Sequence, residues 1–530
     1  MTAGMTLGSY TPLALPDGAA AVQRADGTVL RLGQPAFGAP MFYPSQTVAA
    51  VGDAAHVVHD LGPEGLVTEV VDLRFDWTLD DRFTAVQPYI MYGQSLAMNL
   101  GHDRSLSAVP VAPGRALMYA NGAAGAQMSA SDRPGHDSRD FGPCHFPASD
   151  VARLEDLHEQ RGESPVSMAV AGLLAGLASD TGVIATNHAR GGMAILKLMP
   201  KRLAEGRGTG IQYAGILRAA LRTRQFCDAR ARRMDQPLMS FIQGETAQPD
   251  DAANYARRLL ALQTALTQDL SVITGLSDPV RLFTDQTCVM WDEVQHPDRT
   301  CPPIAVTQLR TALAHPGRIF CVGPKYALPR RSTHKGRGDP VHLLPEASAL
   351  WGDYHGRAIR QTLSAAPWLP LHVAGYRRSG AEIVLEVSGG DGSPLVIDTD
   401  TVRPTARSVF GFRWLQDGAA PQVISVTVDC RRIHLTLDRD PGVAGRDFAQ
   451  GVLAVGLHAD SPLVDQGPLT GGRTNIRDSC PDISRYGAAM PNWLCHDWVW
   501  DDWLWDDWPL DAGLGDGGLV DTEFQNSGAG

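Results

Sequence analysis

Three short stretches, far apart in the chain, carry residue types that together could cleave an ester. Gly93-Gln94-Ser95 offers a hydroxyl nucleophile. Gln243-Gly244-Glu245 offers a side-chain amide able to donate to a developing oxyanion, with a carboxylate beside it to fix neighbouring groups. Asp339-Pro340-Val341-His342 offers an imidazole base and, three residues earlier, a carboxylate to orient the ring. Acyl transfer through a serine needs these parts: an activated hydroxyl, a base held in one tautomer, and donors aimed at the oxyanion. A fourth stretch, Gly191-Gly192, could let backbone N–H groups approach a substrate closely.

Each piece also has an ordinary reading. Ser95 could be a helix N-cap. Asp339 could be a cap and His342 a surface residue. Gly191-Gly192 could be a plain loop, and Gln243 to Glu245 the start of a helix with an acid in its first turn. The G-x-S-x-G elbow of α/β-hydrolases is not matched, because Ala97 stands at its second glycine.

What sets these residues apart is the elements that precede them. Residues 85–92 and 238–242 are apolar runs of strand type, and Ser95 and Gln243 directly follow them. Pro88 predicts an irregularity in the first run. Further strands are expected at 182–186, 280–283 and 319–322. The D-x-x-H stretch lies in the loop region beyond the last of these. Helices are expected at 166–178, 209–234 and 250–272, and from Pro345 onward; Tyr255, Leu259, Leu262, Leu266 and Leu270 recur at helical spacing. Strands alternating with helices predict a mostly parallel sheet covered on both faces, with its site at the carboxyl ends of the strands.

The motifs GQSL at 93–96, GGMAI at 191–195, QGET at 243–246 and DPVHL at 339–343 occur in that order. In this the chain resembles the SGNH (GDSL-like) hydrolase superfamily, and within it the carbohydrate esterases of the sialate O-acetylesterase and acetylxylan esterase type. The resemblance spans roughly residues 83–365. It implies a three-layer, flavodoxin-like α/β domain with Ser95 as nucleophile, His342 as general base and Asp339 as its orienter. It implies an oxyanion hole from the N–H of Ser95, the N–H of Gly191 or Gly192, and the Gln243 amide, with Gln94 and Glu245 in support. It implies an acetylated glycan or another small ester as substrate, and no metal or organic cofactor. Leu96 departs from the pattern, which usually has Asn there; the departure bears on the hydrogen bonding beside the nucleophile. Two other readings stay open: a lipid or aryl esterase with the same triad, and a structural or adhesive protein, such as a recognition component of a virus-like tail, on an SGNH scaffold.

The rest of the chain divides around this region. Residues 1–80 are expected to be a small β-rich region, 81–365 the catalytic domain, and 366–490 a β-sandwich accessory domain, because the helical pattern gives way to alternating runs between Gly, Asp and Pro turns. Residues 491–530 form a Trp- and Asp-rich tail, in which Trp493, Trp498, Trp500, Trp503, Trp505 and Trp508 are six of the eleven tryptophans. Such a tail suits stacking on sugars, assembly through a partner, or folding back on its own chain. Arg330, Arg331, Lys335 and Arg337, with His334, His342 and His355, make the approach to D-x-x-H basic, through substrate charge or as a solvated loop. Gly513, Gly515 and Gly518 fit a dinucleotide fingerprint, but too few residues follow for a βαβ unit.

Composition bounds the alternatives. At 530 residues the chain exceeds one ordinary core. With 44% hydrophobic and 20% charged residues it has a globular composition. A net charge of -12 argues against general nucleic-acid binding and against attraction to anionic membranes. Eight cysteines without a C-x-x-C pair suggest neither a disulfide scaffold nor a zinc ribbon, and H-E-x-x-H is absent. No membrane span is expected. The first residues lack a basic n-region and a long apolar core, so a cytoplasmic or particle-associated protein is expected.

Overall fold

The computed structural model describes backbone strands within residues 10–72. With side chains it describes 82–98, 106–119, 123, 154–159, 165–200, 203, 210, 212–217, 219–228, 230–246, 254–287, 304–331, 341–364, 366–416, 418–442, 451–458 and 467–500. The N-terminal strands are β1 (Tyr10–Ala14), β2 (Ala20–Arg24), β3 (Val29–Arg31), β4 (Tyr43–Val51), β5 (Ala54–Asp60) and β6 (Leu66–Asp72). They pair as two three-stranded antiparallel sheets.

A mostly parallel sheet of eight strands follows. Its members are β7 (Ala85–Gly93), β8 (Ala116–Tyr119), β9 (Leu154–Asp156), β10 (Thr181–Asn187), β11 (Arg233–Met234), β12 (Leu238–Ile242), β13 (Arg281–Gln286) and β14 (Ile319–Pro324). The order across the sheet is β14-β13-β12-β7-β10-β8-β9, with β11 also on β7; only β8 and β9 pair antiparallel. The five strands from β10 to β14 across the sheet, read in chain order, run 2-1-3-4-5. That is the doubly wound, flavodoxin-like order.

Side chains from β7 alternate between two cores. Val86, Ile90 and Tyr92 face one, and Tyr89 and Met91 the other. The first core is closed by α4 (Ile211–Ala229), α5 (Ala252–Thr274) and α6 (Ile304–Ala314), the second by α2 (Ser164–Leu174) and α7 (Pro345–Leu363). The expected α5 stripe of Tyr255, Leu259, Leu262, Leu266 and Leu270 is wholly buried in the first core. Pro88 does not break β7. The irregularity falls on its neighbour: β11 pairs with Ala85 and Val86, β12 pairs from Tyr89 onward, and the gap lies opposite the residue that has no N–H to give.

Helices α2 and α7 cross on glycine. A Cβ on Gly172 would stand 2.6 Å from the backbone of Gly356, and one on Gly352 would stand 2.5 Å from the carbonyl oxygen of Pro165. Backbone has nowhere to retreat in a packed layer. We therefore expect Gly172→Ala to destabilise this domain by roughly 1–3 kcal/mol, the usual cost of overpacking. Denaturant unfolding followed by tryptophan fluorescence reads this; an unchanged midpoint would show that the crossing is looser than described.

Beyond α7 the chain is antiparallel β. Four strands, β15 (His372–Ser379), β16 (Glu382–Ser388), β19 (Val423–Asp429) and β20 (Arg432–Leu437), form one sheet in the order β15-β16-β20-β19. A second sheet joins β18 (Phe412–Leu415), β21 (Val452–Val455) and β23 (Asp497–Val499), and β17 (Leu395–Ile397) pairs with β22 (Ile476–Asp478). One apolar core lies between the sheets, including Leu385, Leu435, Trp414 and Leu453.

The beginning of the Trp-rich segment belongs to this body. Trp498 and Trp500 are buried in the shared core, and Trp493 packs edge-on against Tyr326 at 5.9 Å. The Asp497 carboxylate is fully buried with the Arg310 guanidinium of α6 at 2.7 Å. Gln286 at the end of β13 holds the His496 backbone in both directions, each bond 2.9 Å. A free recognition tail is thus not what residues 493–500 form; they fold back on their own chain. Trp503, Trp505 and Trp508, and the glycine run after them, lie outside the described residues.

Candidate active site

Strands β10, β7 and β12 are adjacent and parallel, so their carboxyl ends deliver three loops to one edge of the sheet. From β7 the chain goes through β8 and β9 to β10 on one side and later to β12 on the other. Ser95 therefore stands where the connections diverge, the crevice in which open α/β sheets bind ligands.

Gly93 leaves β7 at a φ of 131°, and a Cβ there would lie 2.0 Å from the carbonyl oxygen of Ile242. Only glycine permits that approach. Gln94 N–H then donates to the same carbonyl at 2.9 Å. Ser95 opens a single helical turn, α1 (Ser95–Met98), whose Leu96 and Ala97 enter the core beside α2 and α7. Ser95 is 8% exposed. The polar residue expected after Ser95 is thus replaced by an apolar one that packs.

The hydrogen bonding beside Ser95 runs instead through Gln94. Its Oε1 accepts from Thr246 Oγ1 at 2.6 Å and from Thr246 N–H at 3.3 Å, and Gln243 Nε2 lies 3.5 Å away. Gln243 is fixed from behind. Tyr255 OH donates to its Oε1 at 2.9 Å, and Gln308 Nε2 donates to its carbonyl at 2.6 Å. Among the described residues the Gln243 amide nitrogen makes long contacts, 3.3 Å to Met193 O and 3.5 Å to Gln94. Bonds of that length are weak, so the donor retains capacity for a better acceptor.

The Gly191-Gly192 loop is fastened to β7. His188 N–H donates to Met91 O at 2.9 Å and Arg190 N–H to Gly93 O at 3.0 Å, while the Asn187 amide donates to Ala97 O at 2.9 Å. Gly192 has a φ of 69°, with no atom of the described residues within 4 Å of where a Cβ would be.

Glu245 points into a buried ion cluster. Lys325 Nζ, just past β14, lies 2.6 Å from Glu245 Oε1 and 2.9 Å from Asp285 Oδ2, and Trp351 Nε1 donates to that Asp285 oxygen at 3.0 Å. All three charged side chains are 2% exposed or less. Burial, with the negative charge of Glu245, pushes the Asp285 carboxyl up against the opposing pull of Lys325.

His342 sits between β14 and α7, on a short antiparallel pairing. Arg331 N–H donates to His342 O at 2.9 Å, Leu344 N–H donates to Pro329 O at 3.1 Å, and Arg330 pairs with Leu343. Leu343 packs in the same core as Leu96 and Ala97, which brings this segment to the side of the sheet where α1 lies. Asp339 lies outside the described residues.

Two parts of the basic approach serve the fold. Arg330 donates to Val341 O and Lys325 O at 2.6 and 3.1 Å. His355 is buried in α7 with its Nδ1 3.0 Å from Ser240 Oγ, and burial lowers its pKa to about 3, so it adds no positive charge at neutral pH. His334, Lys335 and Arg337 lie outside the described residues. The residues that sequence reasoning missed are Thr246, Lys325, Asp285, Gln308 and Trp351. A charged residue directly after or within a buried strand, as Lys325 and Asp285 are, was the available signal.

No family model matches the chain, and no curated protein matches it. Solved structures are similar in outline. A carbohydrate acetylesterase from Xanthomonas citri is 14% identical, with a TM-score of 0.44 over 94% of each chain. A carbohydrate acetylesterase from Sinorhizobium meliloti is 12% identical, with a TM-score of 0.24 over 53% of this chain and 99% of that one. An aryl esterase from M. smegmatis is 13% identical, with a TM-score of 0.24 over 52% and 99%. The fold rests on the chain's own strand order: a three-layer, doubly wound α/β arrangement of flavodoxin-like order.

Proposed function

We propose that the protein is a serine esterase that removes O-acetyl groups from a carbohydrate. The observation that carries this reading is the convergence of the β7, β10 and β12 loops, which sets Ser95, Gly191-Gly192 and a pre-oriented Gln243 amide at one sheet edge. In this reading His342 takes the Ser95 proton as the hydroxyl attacks the ester carbonyl, and Asp339 orients the ring. The oxyanion is held by the N–H of Ser95, the N–H of Gly191 or Gly192, and Gln243 Nε2. Collapse releases the sugar hydroxyl, which takes the proton from His342. Water, activated by the same base, then hydrolyses the acetyl-enzyme to acetate. No step calls on a metal or an organic cofactor.

Acyl-chain length tests the substrate class. A site built for acetyl excludes longer chains sterically, so kcat/KM on chromogenic esters should fall at least about tenfold from acetyl to butyryl, and acetylated glycans should release acetate. Rising activity with chain length and no release from glycans would place the substrate among lipid or aryl esters.

A further inference from the structure

We propose that Lys325 is the positioning residue that holds the two halves of this site together; the proposal rests on the esterase reading for its consequence but not for its geometry. Its ammonium is clamped between Glu245 and Asp285 at 2.6 and 2.9 Å, with the lysine fully buried. Glu245 lies between Gln243, the oxyanion donor, and Thr246, which bonds Gln94 beside the nucleophile. Gly244 can adopt its φ of 142° only as glycine, and a Cβ on it would meet Thr287 and Gln308 at 2.8 and 2.9 Å. This loop therefore has one seat, and Lys325 fixes its acidic end.

The other half hangs on the same residue. The Lys325 carbonyl accepts from Arg330 Nη2 at 3.1 Å, and Arg330 Nη1 donates to Val341 O at 2.6 Å, one residue before His342. A contiguous chain thus runs from Gln243 and Glu245 through the Lys325 ammonium, along its backbone, through the Arg330 guanidinium to the His342 segment. Trp351 and Asp285 anchor the middle of it to α7 and β13. Buried ions are costly unless paired. Three of them beneath one loop, where apolar residues would pack as well, are explained by the direction they impose.

Two variants of the full chain test this. The triple variant Lys325→Met, Glu245→Gln, Asp285→Asn removes the clamp without leaving an uncompensated buried charge. Arg330→Leu cuts the link from the Lys325 carbonyl to Val341 and leaves the ion cluster in place. Both should lower kcat on a small acetyl ester, by on the order of a hundredfold and tenfold respectively, with KM within threefold, as expected for misplaced catalytic groups. Amide hydrogen exchange reads position without turnover. The triple variant should lose protection at both 243–246 and 342–344, and Arg330→Leu at 342–344 alone. If the triple variant does not fold, Arg330→Leu decides by its own two readouts. Parent-like kcat in either folded variant, or loosening confined to 243–246 in the triple variant, overturns the proposal. Loosening of both segments in a protein without Ser95-dependent hydrolysis would sink the esterase reading and leave the positioning role standing.

Discussion

Ser95→Ala is expected to lower kcat on a small acetyl ester by at least about 10⁴-fold while the protein stays folded. The loss is large because the acyl-enzyme route is closed and only the oxyanion donors and substrate binding remain. The fold should survive because one oxygen is removed from the first turn of α1, whose anchoring comes from buried Leu96 and Ala97 and from Gln94 N–H on Ile242. Thermal unfolding should therefore move by no more than a degree or two. In the proposed triad nucleophile and base act as a unit, so Ser95→Ala with His342→Ala should be about as slow as the worse single variant. Multiplying losses would assign His342 to some other task.

Removal of residues 493–530 is expected to be the most damaging change outside the site. It deletes β23 from its sheet and takes Trp493, Leu494, Trp498, Val499 and Trp500 from buried positions. It strips Asp497 from Arg310, whose side chain is 2% exposed, leaving a buried guanidinium without its carboxylate; such a loss alone costs about 3–5 kcal/mol. Gln286 loses both bonds to the His496 backbone, and Tyr326 loses the Leu494 carbonyl. Gln286 adjoins Asp285 of the ion cluster and Thr287, whose N–H fixes Gln308 behind Gln243. Damage there reaches the site. The truncated chain should be insoluble or melt well below the parent, with small-ester activity gone. A truncation after Trp500 keeps every one of these contacts, and the pair of truncations isolates their effect. Parent-like melting and turnover in the shorter chain would contradict the packing described.

The sequence made the central strands legible as short continuous apolar runs, and the longest helices legible by a clean period. The run before Ser95 is buried on both faces, and α5 shows one apolar stripe. Helix α6 was not legible: residues from Ile304 to Ala312 are all buried, the polar Thr307, Gln308, Arg310 and Thr311 among them, so its polar residues do not mark a solvent face. Strand β8, four residues long and fully buried, gives too short a run to read. The motif loops could be placed by order alone, but what holds them could not. Glu245, Asp285 and Lys325 are residue types usually found in water, and they lie 40 residues apart in sequence or in successive strands' ends. Only the fold brings them within 3 Å. The tryptophans after 492 misled in the opposite sense. Their density beside aspartates suggests an exposed docking surface, yet Trp493, Trp498 and Trp500 are 6%, 5% and 5% exposed.

The central claim is that Ser95 becomes the acyl carrier. The direct measurement is rapid acid quench of the parent protein during turnover of an acetyl ester, followed by peptide mass mapping. One acetyl group should be found on the peptide spanning 93–96, on Ser95, and should be absent from Ser95→Ala. An acetyl group mapped to any other residue, or a burst of product with Ser95 unmodified, would contradict the account.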